Sequence, residues 1–277
     1  MENLDHVEAI LNYLADAAEK PRTYTYAPPA DTPARTGRYT KHTVPIYDGR
    51  TVAGRLSLDK QGVTLARHET AVANFYDSHE VRAVYYPEVE RLVKEVTGAA
   101  RVLVFDHNVR CRPRAKQGEK GVQEPVKVVH NDYTLKSGPQ RVRDLLPGEA
   151  DALLKNRFAF INVWRPTRGP VQDTPLAVCD AETIAQQDFV THDLVYRDRM
   201  GEVYSVTFNP RHRWLYFPKM QKNEAMLIKC YDSDASHTRF TAHTAFEDPT
   251  SPPDAAPRES IEARTIAFFS PSESQRS

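Results

Sequence analysis

The chain has 277 residues, with 37 Lys plus Arg against 37 Asp plus Glu, so its formal net charge is zero. That balance leaves no basic field to hold a phosphate backbone and argues against a nucleic-acid partner. Hydrophobic residues make up 40% of the chain, enough for a substantial core, and no stretch approaches the roughly 20 apolar residues that span a bilayer.

The opening MENLDHVEAILNYLADAAEK lacks the basic start and apolar run of a signal peptide. Cys111, Cys179 and Cys230 are widely spaced, contain no CxxC, and read as free thiols in a reducing compartment. These features predict a soluble cytoplasmic protein with no membrane contact; its oligomeric state is open. Val7, Ile10, Leu11, Leu14 and Ala15 fall at helical spacing, so a helix is expected over 5–19. Residues 21–38, rich in Pro, Thr and Arg, read as an extended arm. Helix and arm (about 1–40) belong to one domain spanning 1–277. HTVPIYDGR reads as a strand ending in a turn at Asp48-Gly49.

The segment 79–97 places Val81, Val84, Tyr85, Val89, Leu92, Val93 and Val96 on one helical face. Pro87 predicts a kink or restart inside it, and Gly98 a stop. ARVLVFDHNVR alternates as a half-buried strand should, and 111–124 reads as a mobile loop. Short strand-like runs follow: VKVVHNDYT, FAFINVWRP, LAVCD, DLVYRDR, EVYSVTF, WLYFPKM, AMLIKCYDS, TRFTAHTAF and SIEARTIAFF. One helix, Pro147–Asn156, interrupts them. The pattern predicts a mainly β fold with flanking helices, in its sharpest form a jelly roll.

The chemistry concentrates at His130-Asn131-Asp132, at the end of a strand. Side chains two apart on a strand point the same way. An imidazole and a carboxylate so placed supply two corners of a 2-His-1-carboxylate facial triad. The third ligand is expected on a late strand, and His243 in FTAHTAF fits better than His237, which lies in a turn-like Asp234–His237 segment. Downstream, Arg258, Ser260, Glu262 and Arg264 share one strand face. An Arg and a Ser two apart can grip a carboxylate by a bidentate fork plus a hydroxyl, as the far end of 2-oxoglutarate requires; the plainer alternative is a solvated face on which Glu262 pairs with an Arg. Asn162 and Trp164 share a face in FINVWRP, and a buried Asn needs a partner that a cosubstrate oxygen could supply. Tyr133 is a candidate pocket residue. Arg165 could fix a polar substrate or sit in a salt bridge.

The segments HNDYT (130–134), INVWRP (161–166), KCYDS (229–233), HTAFEDP (243–249) and PRESIEAR (257–264) resemble those of the hydroxylase/desaturase family of fungal and bacterial secondary metabolism, which includes relatives of the cephamycin 7-alpha-methoxylase small subunit and of gibberellin desaturase. The resemblance covers about residues 40–270. It implies a double-stranded β-helix (jelly roll), Fe(II), 2-oxoglutarate and dioxygen. It also implies metal on His130, Asp132 and His243, and the cosubstrate carboxylate on Arg258 and Ser260. The stretch from His243 to Arg258 is longer than usual in this superfamily, because of the Pro-rich EDPTSPPDAAP, which leaves Arg264 as an alternative anchor. The rival functions are a cupin-like metal enzyme that does not use 2-oxoglutarate and a non-catalytic accessory subunit of a biosynthetic oxygenase.

Overall fold

The computed structural model describes residues 4–15 and 19–270. The first element corrects the sequence expectation: β1 (His6–Leu14) is a strand, not a helix. The arm contributes only β2 (Arg22–Tyr24), and β1 pairs antiparallel along its full length with β3 (Tyr39–Asp48). The apolar residues of 7–15 fit a repeat of 3.6, but Ala9, Leu11 and Tyr13 also fit a repeat of two. Those three are buried while Ile10 is exposed. For a short apolar run, pairing with a partner strand outweighs intrinsic periodicity. Residues 16–18 of the expected helix lie outside the described residues.

After β4 (Val63–Arg67) comes the main helical run. The Asp77 carboxylate accepts from the backbone N–H of His79 and Glu80 and caps α1 (Ser78–Glu80). The helix continues through a π-turn (Val81–Tyr85) into α2 (Tyr86–Thr97), and Gly98 ends it at φ 69°. Pro87 lies at the start of α2, where the widened turn absorbs its missing N–H without breaking the axis. β5 (Arg101–Arg110) follows; the segment 111–124 then carries α3 (Arg112–Lys116) and β6 (Val122–Gln123). β7 (His130–Asn131) precedes α4 (Ser137–Leu145) and α5 (Ala150–Leu153). The helix expected over Pro147–Asn156 is reduced to α5. The sequence reading missed α4, because Ser137-Gly138-Pro139 looks like a breaker; in the first turn of a helix, however, proline is tolerated.

The remaining strands are β8 (Phe158–Pro166), β9 (Leu176–Cys179), β10 (Phe189–Val195), β11 (Met200–Val206), β12 (Trp214–Tyr216), β13 (Glu224–Asp232), β14 (His243–Ala245) and β15 (Ser260–Phe268). They complete two curled sheets that face each other as a jelly roll. One sheet runs β1-β3-β12-β9-β14-β7-β11-β10-β2, the other β4-β13-β8-β15-β5-β6. β8 is buried along its whole length. Its Phe158, Phe160 and Trp164 join the core between the sheets with Val178, Leu215 and Met226. Its Ala159, Ile161 and Val163 face outward against Val81, Tyr85, Val89 and Val93 of the helical run. Strand alternation therefore sends Asn162 inward, with Phe160 and Trp164, and Arg165 toward the helix.

One tight contact outside the strands bears on the site. Gly62 sits at φ +75°, and a Cβ placed there would lie 1.9 Å from Thr241 Oγ1. The Thr241 carbonyl in turn faces His243 Nδ1 at 3.2 Å. Gly62→Ala is expected to destabilise the fold by about 1–3 kcal/mol, from the left-handed backbone and the displaced Thr241. Urea unfolding of the purified variant checks it.

Candidate metal centre

β7 and β14 are neighbours in the nine-stranded sheet, and His130 and His243 are direct register partners across them. Their ring centroids lie 4.4 Å apart. His130 Nδ1 lies 2.8 Å from the Val128 carbonyl and His243 Nδ1 3.2 Å from that of Thr241. A carbonyl only accepts, so each Nδ1 carries the proton and each Nε2 is left as a free lone pair. Asn131, between the two acidic and imidazole positions, is fully buried and turned away. Its Nδ2 donates to the carbonyls of Tyr133 at 2.7 Å and Cys230 at 2.9 Å, and its Oδ1 accepts from Thr241 N at 3.3 Å. This clamp brings Asp132 back beside His130, with Oδ1 3.6 Å from His130 Nε2.

One ligand atom from each of His130, Asp132 and His243 lies within 4.8 Å of the others. His237 is elsewhere, beside Asp234 at 3.3 Å in a turn. Two imidazoles and one carboxylate converging from one side form the donor set of non-haem Fe(II) oxygenases, and they fit that ion. Burial, then the charge of His243, push the His130 imidazole down to about 3, so it stays neutral as a ligand must. Burial alone would raise the Asp132 carboxyl. Arg264, followed by the two histidines and Asn162, instead holds it well below the usual carboxylate range.

Two cavities meet at this cluster. The smaller, about 30 Å³, is lined by His130, His243, Trp164, Arg258, Glu262 and Arg110 among others. Arg258 is buried over the Trp164 ring, with its guanidinium carbon 5.5 Å from the centroid. Its Nη1 donates to the Thr174 carbonyl at 2.7 Å. Its Nε and the Ser260 hydroxyl are buried with no hydrogen-bond partner among the described residues. Burial, then the nearby Arg110 charge, push the Arg258 guanidinium down to about 9. That shift marks a buried cation with little local compensation.

Arg264 is the opposite case. Its Nε donates to Asp132 Oδ2 at 3.3 Å and its Nη1 to Asp106 at 3.1 Å, and its Nη2 lies 3.6 Å from Glu262. The Asn108 amide, oriented with its oxygen toward Arg264, accepts from both Nη atoms at 2.9 Å. Burial opposes the charge, but Asp132 and Glu262 outweigh it and keep the guanidinium firmly protonated. Asn162 contacts Asp132 rather than the smaller cavity, with Nδ2 2.8 Å from Asp132 Oδ2.

The larger cavity, about 200 Å³, lies on the other side of Asp132 and Arg264. Phe105, Tyr133, Arg141 of α4, and Leu194 and Met200 of the β10–β11 hairpin help line it. Tyr133 thus faces the larger cavity, stacked on Phe160 at 4.0 Å, whereas Trp164 lies on the smaller one. The substrate-contact reading of Arg165 is corrected. Its guanidinium is bound by the carbonyls of His68 and Lys222 on the helix side of β8, because odd-numbered positions of that strand point away from the cluster. No residue of 21–45, 111–124 or 165–175 lines the larger cavity.

A family model described as an oxidoreductase/YMDC permease-like domain matches residues 11–268. The Fe(II)/2-oxoglutarate-dependent dioxygenase nvfI of Aspergillus novofumigatus is 34% identical over 240 residues, covering 83% of this chain and 84% of that protein. The hydroxylase/desaturase efuI of Hormonema carpetanum is 31% identical over 255 residues, covering 84% of this chain and 85% of that one. A solved structure of the iron and alpha-ketoglutarate-dependent endoperoxidase NvfI superposes with a TM-score of 0.86 at 29% identity, over 95% of this chain and 98% of that chain. The chain belongs to the Fe(II)/2-oxoglutarate-dependent dioxygenase family. No helix among its described residues is long and apolar enough to cross a membrane.

Sequence reasoning overlooked one polar row of the dioxygenase, Asp106, Asn108 and Arg110 on β5. They are register partners of Arg264, Glu262 and Ser260. The signal was present: polar residues recur at every second position of FDHNVR, which places them on one face.

The low folded-state value of His130 carries a stability consequence for the metal-free protein. Between about 6.5, the ordinary imidazole value, and about 3, the unfolded chain binds a proton that the folded chain does not. Stability is therefore expected to fall as pH is lowered through that window, by up to about 1.4 kcal/mol per pH unit for one proton. Buried His192, pushed down to about 4 chiefly by desolvation, acts in the same direction. Denaturant unfolding across a pH series checks the slope, which His130→Asn should flatten relative to the parent.

Proposed function

We propose that this dioxygenase holds iron(II) on His130, Asp132 and His243 and anchors 2-oxoglutarate through Arg258 and Ser260. Its small-molecule substrate, a secondary metabolite, binds in the larger cavity beside Tyr133. The observation that carries the anchor assignment is Arg258, which lines the smaller cavity with the two histidines and whose buried Nε has no partner among the described residues, together with the equally unpartnered Ser260 hydroxyl two residues on. A buried guanidinium and hydroxyl so placed suit a terminal carboxylate, which can take two charge-assisted bonds from the fork and one from the hydroxyl. Arg264, the rival anchor, has its donors engaged by Asp132, Asp106 and Asn108. The three free, buried cysteines support a cytoplasmic setting.

When bound, iron and 2-oxoglutarate supply dioxygen activation, and the product is a hydroxylated or desaturated substrate. The chain supplies geometry. The Nδ1–H bonds to Val128 and Thr241 fix both imidazole planes. Trp164 packs under the Arg258 guanidinium, keeping its aliphatic stem dry and its fork oriented. Tyr133, its phenol held neutral mainly by burial, and Phe160 give the substrate side an aromatic wall.

Succinate formation and direct binding test the reading. His130→Ala, Asp132→Ala and His243→Ala should each abolish activity and sharply weaken iron binding. Arg258→Ala should raise the 2-oxoglutarate KM about 10- to 150-fold, as expected for losing a charge-assisted bond of roughly 1.5–3 kcal/mol. It should leave metal affinity nearly unchanged. Ser260→Ala should cost about 1 kcal/mol. An unchanged KM in Arg258→Ala would return the anchor to Arg264.

A further inference from the structure

We infer that Asn162 and Arg264 are positioning residues for the metal carboxylate: by both donating to Asp132 Oδ2, they turn Oδ1 toward the histidines as the single ligating atom. The inference rests on the proposed role of Asp132 as a ligand. It assigns both residues, which the sequence offered only as candidate cosubstrate contacts, to the carboxylate.

The geometry is asymmetric about the two oxygens. Oδ2 accepts from Asn162 Nδ2 at 2.8 Å and from Arg264 Nε at 3.3 Å. Oδ1 faces His130 Nε2 at 3.6 Å. A carboxylate whose second oxygen is engaged by two donors presents the first alone, which keeps the remaining positions around an ion open. Both donors are themselves immobile. Asn162 is fully buried on β8, and Arg264 lies directly opposite it on β15. Arg264 is further caged by Asp106, Glu262 and Asn108, so its Nε cannot swing away without breaking those contacts. Asp132 follows β7 of the nine-stranded sheet, whereas its two donors come from the six-stranded sheet. The contact thus ties the two halves of the sandwich together at the site.

Charge alone does not account for the arrangement. Arg264 could neutralise Asp132 from many directions. Asn162 adds no charge, only direction, and its Oδ1 stays buried without a partner. Leaving a buried acceptor unmatched is costly, so a purely structural asparagine would be expected to satisfy both ends of its amide. Here one end is committed to the carboxylate.

Mn(II) binding, followed by electron paramagnetic resonance of the free ion, tests this without turnover. Asn162→Leu keeps the branched side-chain shape and removes the donor; Arg264→Gln removes the charge, and Arg264→Lys keeps it. The first two are expected to weaken Mn(II) binding about 10- to 100-fold, with Arg264→Lys losing less. At saturating Mn(II), 2-oxoglutarate affinity should stay close to that of the parent, the reverse of Arg258→Ala. Melting of each metal-free variant is measured alongside. Parent-like Mn(II) affinity in the folded fraction of Asn162→Leu and Arg264→Gln, whatever their melting temperatures, overturns the inference. Asp132→Ala separates the two levels: if it too binds Mn(II) like the parent, the ligand assignment itself fails. If it loses Mn(II) while the other variants keep it, only the positioning role fails.

Discussion

The site depends on one strand pairing, His130 opposite His243. Both strands are short, two residues for β7 and three for β14, so few backbone hydrogen bonds hold them. What fixes them is buried polar bonding around the pair. Asn131 clamps the Thr241 backbone and two carbonyls, and the Val128 and Thr241 carbonyls bind the imidazoles. A one-residue slip would turn a histidine to the other face of the sheet and strand these donors in an apolar interior, where each unmade bond costs about 1–3 kcal/mol. Register and chemistry are therefore held by the same bonds.

Around that pairing the interior is charged to a degree that hydrophobic packing does not explain. Arg258, Glu262 and His243 are buried, with Arg264, Arg110 and Asp132 close by in partly buried positions. A buried charge is tolerable when paired and hydrogen-bonded. Asp132, Glu262 and Arg264 meet that condition among themselves, with Asp106 completing the set. Arg258 does not. The contrast separates two arginines at the site: Arg264 of β15, satisfied by the protein, and Arg258 just before that strand, left with donors to offer.

The convergence of His130, Asp132 and His243 was legible in the sequence because its logic is local at one end and topological at the other. His130 and Asp132 are two residues apart, and a jelly roll must return a late strand to the middle of the same sheet. The long strands β8, β13 and β15 and the helical run after Asp77 were legible for the same reason: their apolar periodicity is sustained. β1 was misread because Leu11 satisfies either period, with Leu14 at helical spacing or with Ala9 and Tyr13 at a repeat of two, and only β3, some thirty residues on in the chain, decides between them. α4 was misread because glycine and proline in a first helical turn look like a loop. The role of Arg165 was left open between substrate and salt bridge although β8 alternation was available, since Asn162 facing inward requires Arg165 to face the helix.

The walls of the larger cavity were illegible for a different reason. They come from α4, the end of β5 and the β10–β11 hairpin, segments far apart in sequence and without a motif of their own. Lys20, from the arm, bridges Asp193 and Glu202 of that hairpin, so the arm acts on the cavity indirectly, through charge, without lining it. Of the proposed iron and cosubstrate residues, His130, His243 and Ser260 lie on strands whose register the core dictates. The larger cavity, proposed for the substrate, is walled largely by a hairpin and a helix whose side chains the core constrains less. A fold divided in this way can keep its oxidising centre while its substrate wall varies, because changes at Leu194, Met200 or Arg141 leave the β7–β14 pairing and the Asp132 contacts untouched.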